Sequence, residues 1–206
     1  MIEAKGLVKR YGKFTAVVGA SLSLEKGETV ALLGSNGSGK STLLAMLAMI
    51  LKPDFGEVTV DGLKGKKAKE KVAYVPQEIV LFEELTVMEN LFAWSSLNGK
   101  ENTERAEYLV NELEMADFKR KRVDRLSGGQ RRRVNLAVSL MGKYEYLLLD
   151  EPLAGIDAHG GECIEQLLRK EKEKGCAMII TEHNPTILLP LTDRSLRIER
   201  GHLTAL

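Results

Sequence analysis

The chain has 206 residues, 44% of them hydrophobic and 29% charged, which fits one folded domain and excludes a disordered chain or two independent domains. Its 30 Lys and Arg against 29 Asp and Glu leave a net charge of +1, which argues against a basic face built to grip nucleic acid. Two cysteines, Cys163 and Cys176, have no CxxC spacing and no histidine pair beside them, and they predict reduced cytosolic thiols without a zinc site.

The opening residues Met1 to Gly6 lack the basic-then-apolar order of a secretory leader, and the run Leu43 to Leu51 is too short to cross a bilayer. Residues Ile2 to Leu24 favour strands. Thr29 to Leu33 is a short apolar strand that runs into a Gly-rich loop and a helix expected over Lys40 to Leu51. Glu57 to Val60 alternates polar and apolar and ends in Asp61-Gly62, a hairpin turn signal. Val72 to Val75 is a strand stopped by Pro76. From Val87 to Leu113 the periodicity turns helical, with Leu85, Met88, Leu91 and Phe92 on one face and Ala106, Leu109, Val110 and Leu113 on another. Tyr146 to Leu149 and Ala177 to Ile180 read as buried parallel strands, and Arg197 to Leu203 as a terminal hairpin. The expected fold class is α/β, a single domain over 1–206 with a helical insertion over about 82–140.

Gly34-Ser35-Asn36-Gly37-Ser38-Gly39-Lys40-Ser41 satisfies the GxxxxGK[ST] pattern, between a strand and a helix as the mechanism requires. Its glycines let backbone N–H groups turn inward around phosphate oxygens, and the helix start, running on through Thr42, adds a partial positive charge. Lys40 is placed to reach the β- and γ-phosphates and the Ser41 hydroxyl to ligate Mg²⁺. The apolar run Tyr146 to Leu149 then delivers two carboxylates, Asp150 and Glu151, to the end of a buried strand, beside that loop. Asp150 is the candidate for holding Mg²⁺ and Glu151 for acting on the attacking water. The chemistry expected is nucleotide binding with magnesium.

Leu126-Ser127-Gly128-Gly129-Gln130 is a second glycine-rich helix start, followed by Arg131-Arg132-Arg133. Here the sequence resembles the nucleotide-binding subunits of ABC transporters, over nearly the whole chain. The resemblance implies a P-loop NTPase fold, with a mostly parallel core sheet, an antiparallel N-terminal β-subdomain and an inserted helical subdomain. It implies head-to-tail dimers in which Ser127, Gly128, Gly129 and Gln130 of one subunit close over the phosphates held by the other. Tyr11 matches the aromatic residue that stacks on adenine, although an edge-strand packing role is the alternative. Gln77 matches a glutamine that senses Mg²⁺ and the γ-phosphate, beside the groove for the partner. Asp157 matches a residue facing the other subunit, and His183 one that contacts the γ-phosphate. The basic runs Lys64 to Lys71 and Lys119 to Arg122 are either solvated faces or contacts for headgroups and acidic loops.

Only 23 residues follow His183, which leaves no room for the C-terminal regulatory domain of some relatives. The function implied is transport-coupled ATP hydrolysis, by a second ABC ATPase subunit and this chain together, on separate integral membrane subunits. The place implied is the cytoplasm, peripheral on the inner face of the cell membrane. The segment Leu81 to Leu91 resembles that of subunits serving exporters. A soluble ATPase powering an assembly scaffold, such as iron–sulfur cluster assembly, would carry the same motifs.

Overall fold

Strand pairing divides the described residues, 1–181 and 189–206 of the computed structural model, into two sheets. In the first, β1 (Ile2–Tyr11) lies between β2 (Phe14–Leu24) and β4 (Phe55–Val60) and is antiparallel to both. In the second the order is β5 (Val72–Val75), β6 (Tyr146–Asp150), β7 (Ala177–Thr181), β3 (Thr29–Leu33), β8 (Arg194–Glu199) and β9 (His202–Ala205). Every pairing in it is parallel except that of the edge strand β9. The expected core sheet and antiparallel N-terminal sheet are both present.

All residues of β6 and β7 are buried, as an apolar run with no polar alternation requires when helices cover both faces. The strand period of two sorts their side chains. Tyr146, Leu148, Ala177 and Ile179 join the first sheet and α1 (Lys40–Leu47) in one core. Leu147, Leu149, Met178 and Ile180 join the other core, with α3 (Val87–Trp94), α4 (Gly99–Glu112), α5 (Gly128–Ser139) and α6 (Ala158–Glu173). A short α2 (Lys66–Lys69) precedes β5. Asp61 and Gly62 have φ of 51° and 74°, and Val60 pairs with Leu63 across them, as the turn signal predicts.

Three expectations need correction. The first helix ends at Leu47 rather than Leu51, because Met49 turns left-handed (φ 55°) and the Leu51 amide returns to the Ala45 carbonyl at 3.0 Å. That turn brings Met49 and Leu51 back against the core. The helical block is broken between Ser95 and Asn98, where the Ser95 hydroxyl donates to the Met141 carbonyl (3.0 Å) and accepts from the Leu97 amide (3.0 Å). Within it, Phe92 is exposed and Asn90 is fully buried. The Asn90 amide earns that place by accepting from the Phe82 N–H and donating to the Phe82 and Thr86 carbonyls.

Candidate functional site

The loop between β3 and α1 is closed on itself by its glycines. A Cβ at Gly39 would stand 2.3 Å from the Ala16 carbonyl oxygen, and Gly39 has φ 111°, open only to glycine. A Cβ at Gly34 would meet the Ile198 carbonyl at 2.4 Å and the Ser38 hydroxyl at 2.6 Å. Lys40 is 5% exposed, and its ammonium donates to the carbonyls of Gly34 (2.9 Å) and Ser35 (3.2 Å). The start of α1 carries no side-chain cap. The buried Ser38 hydroxyl has no hydrogen-bond partner among the described residues. Uncapped amides, a buried cation and an unmatched hydroxyl in one loop suit an anion with several acceptor oxygens.

Two further elements close on Lys40. Glu151 follows β6 in a left-handed conformation (φ 49°), a strain of about 1–2 kcal/mol for a non-glycine residue. Its amide donates to the Thr181 hydroxyl (2.9 Å), which in turn donates to Asp150 Oδ1 (2.8 Å). That turn leaves Glu151 Oε1 4.0 Å from Lys40 Nζ, while Gln77 Nε2 donates to Oε2 at 2.7 Å. Asp150 is buried and hydrogen-bonded to Tyr74; burial first, and then this carboxylate, push the Tyr74 phenol above its usual range. Lys40, Gln77 and Glu151 therefore meet, although 37 residues or more separate them in sequence. The hydroxyl of Ser41 and the carboxylate of Asp150 are hard oxygen donors, with Gln77 nearby, and that donor set fits Mg²⁺ rather than a softer ion.

Ser127 caps α5 and Gln130 completes the capping box: the Gln130 amide donates to Ser127 Oγ (3.3 Å), and the Ser127 amide to Gln130 Oε1 (3.0 Å). Ser127 and Gly128 are exposed. This helix start belongs to the opposite face of the sheet from α1, so it does not share the phosphate loop's core. From the same helix, buried Arg132 donates to the Gln77 and Ala154 carbonyls, and Asn135 accepts from the Val80 amide and donates to the Pro76 carbonyl. Sequence reading took Arg131 to Arg133 as one basic run and missed both residues. The one signal was Asn135, a lone amide between Val134 and Leu136.

Tyr11 is exposed at the end of β1, opposite Phe14. Asp157 caps α6, accepting the Gly160 amide at 2.8 Å, and so has a local task as well as an exposed position. His183 lies outside the described residues. A groove of about 1200 Å³ runs past Tyr74, Pro76, Val80, Trp94, Leu97 and Met141, and at its rim exposed Phe82 and Trp94 stack with centroids 5.7 Å apart.

Residues 17–154 match the family model described as ABC transporter. The chain is 38% identical to the linearmycin resistance ATP-binding protein LnrL of Bacillus subtilis, covering 100% of this chain and 68% of that protein. It is 33% identical to the lipopolysaccharide export system ATP-binding protein LptB of Escherichia coli, covering 99% and 89%. Among solved structures, it is similar to the dimeric post-hydrolysis state of the ATP-binding cassette MJ0796 bound to ADP and Pi. The TM-score is 0.87 and the identity 28%, over 100% of this chain and 99% of that one.

Proposed function

The chain belongs to the ABC transporter family as an ATP-binding, ATP-hydrolysing subunit, and from that premise we propose that its working site is shared between two chains. One observation carries the proposal. The phosphate loop opens α1 on one face of the sheet, and Ser127 opens α5 on the other, so the two anion-binding helix starts need a second subunit to face each other. The similar cassette bound to ADP and Pi is itself dimeric.

In this arrangement the amides of Gly34 to Thr42 and the Lys40 ammonium hold the phosphates, and Tyr11 stacks on the adenine. Residues Ser127 to Gln130 of the other chain close over the γ-phosphate, with Asp157 at the seam. Ser41, Asp150 and Gln77 would hold magnesium, which when bound supplies charge neutralisation at the phosphates. Glu151 orients or deprotonates the attacking water, and His183 contacts the γ-phosphate. Lys40 exchanges its Gly34 and Ser35 carbonyls for phosphate oxygens, so binding energy replaces contacts the loop already makes.

Among the described residues no helix is long and apolar enough to cross a membrane, and integral membrane subunits are the transport partners of this reading. The groove with its stacked Phe82 and Trp94 is the surface we assign to them, and a peripheral position on the inner face of the membrane is the reading that goes with it. Both curated relatives carry resistance or export names, which supports export over assembly of a soluble scaffold.

The test is hydrolysis per chain across a wide dilution series at saturating ATP, with sedimentation alongside. Specific activity should fall as the dimer dissociates. Activity that stays flat where sedimentation shows only monomer refutes the shared site.

A further inference from the structure

We propose that Glu114, His159 and Cys163 form a binding site for one zinc ion, apart from the nucleotide site. His159 and Cys163 are four residues apart on α6, so their side chains stand on one face one turn apart. Glu114 comes from the end of α4, where it takes a left-handed conformation (φ 48°) and Met115 N–H closes on the Val110 carbonyl at 2.8 Å. That closure delivers its carboxylate to α6: Glu114 Oε2 lies 2.6 Å from His159 Nε2, and the Cys163 thiol is hydrogen-bonded to the same carboxylate.

One ligand atom from each of the three lies within 4.8 Å of the other two. Around tetrahedral zinc, with bonds of about 2.0 Å to N and O and about 2.3 Å to S, ligand atoms sit roughly 3.3–3.6 Å apart. Small rotations of three side chains span the difference. One sulfur, one imidazole nitrogen and one carboxylate oxygen form a set that selects zinc over magnesium or calcium. The His159 and Glu114 side chains are 67% and 54% exposed, which gives an ion an entry path and leaves room for a water as fourth ligand.

Charge closes as well. When the Zn–S bond forms, the thiol proton leaves to solvent; thiolate, carboxylate and neutral imidazole then balance the 2+ ion. Arg133 is the cation facing the site. Its guanidinium donates to the Leu113 and Glu114 carbonyls and covers the Phe118 ring at 5.3 Å, so it meets a neutral complex. Further along the same seam Lys170 pairs with Glu112 at 2.7 Å and Lys174 donates to the Tyr108 hydroxyl at 3.1 Å. A bound zinc would replace the Glu114–His159 hydrogen bond with metal bonds at one end of that seam, tying the helical insertion to the start of α6.

Cobalt(II) serves as the probe, because thiolate ligation gives a near-ultraviolet charge-transfer band that oxygen and nitrogen ligands do not. The full-length chain should show this band, zinc should abolish it, and Mg-ATP should leave it in place. Cys176→Ser should retain the band, since burial pushes the Cys176 thiol up to about 12 and keeps it out of reach. Cys163→Ser should lose it. His159→Ala alters an exposed side chain and keeps the fold, and it should weaken metal binding by about 100-fold or more. A missing band in the parent, a band that survives Cys163→Ser, or unchanged affinity in His159→Ala each overturns the site.

Discussion

Glu151→Gln replaces one carboxylate oxygen with an amide and should move two measurements in opposite directions. The amide oxygen can still accept from Gln77, so the local geometry is kept. What disappears is the charge 4.0 Å from Lys40. At that distance, with an effective dielectric near 20, the attraction is about 4 kcal/mol before the desolvation of two nearly buried groups offsets most of it. If about a quarter survives as a net term, Lys40 is released towards phosphate by about 1 kcal/mol, and ATP binds about fivefold tighter. Hydrolysis should slow by two to three orders of magnitude, the range of a lost general base. Equilibrium binding of ATP and single-turnover hydrolysis measure the two effects, and gel filtration should show an ATP-bound dimer accumulating. Turnover within tenfold of the parent removes Glu151 from the reaction, and weaker ATP binding refutes the idea that it competes for Lys40.

Gly39→Ala should lower stability by roughly 3 kcal/mol or more, since its Cβ would overlap the Ala16 carbonyl. Gly37→Ala meets open space at φ 73° and should cost only about 1 kcal/mol, so equal melting temperatures for the two would contradict the geometry. Arg132→Met strips charged donors from the Gln77 and Ala154 carbonyls and should cost about 3 kcal/mol in urea unfolding, with Arg132→Lys recovering less than half because it lacks the planar fork. Asp61 is burdened by burial, yet hydrogen bonds from Lys71, the Met1 amino group and Tyr146 hold its carboxyl well below the usual range. A depressed folded value means the stabilisation is full above the unfolded value near pH 4 and is lost as pH falls through the folded one. Asp61→Asn should therefore be less stable than the parent at pH 7, with the gap narrowing steadily as the pH is lowered below about 4; a gap that stays constant refutes the assignment.

The phosphate loop, the acid strand and the capped start of α5 were legible because each is a local pattern whose chemistry depends on neighbours in sequence. The pairing of Gln77 with Glu151 spans 74 residues and rests on how β5 and β6 align, which no periodicity reveals. The helix α6 was overlooked because Gly160 and Gly161 interrupt its start, and only the Asp157 cap, an N-terminal acceptor, announces it. Glu114 reaches His159 and Cys163 through a turn that glycine usually occupies. The expectation of no zinc site rests on cysteine and histidine pair spacing and does not weigh the closeness of Glu114, His159 and Cys163, which only the fold brings together. Phe92 shares an apolar face with Leu85, Met88 and Leu91 by its period, but Asn90 makes four hydrogen bonds to the preceding loop and the helix start and takes the buried position.

The placement of α1 and α5 on opposite faces of one sheet has a genetic reading. A chain carrying Lys40→Ala spoils the site in which it offers the phosphate loop, and a chain carrying Ser127→Arg spoils the site in which it offers the helix cap. In the proposed dimer, each variant alone would be inactive in both halves. Paired with each other, they gather both lesions into one half and leave the other half built from an intact loop and an intact cap. Two defective alleles expressed together would thus complement, whereas two alleles damaged in the same element would not. Either allele beside the normal one would spoil only one half of each mixed dimer, so its dominance would show whether a single working half is enough to drive transport.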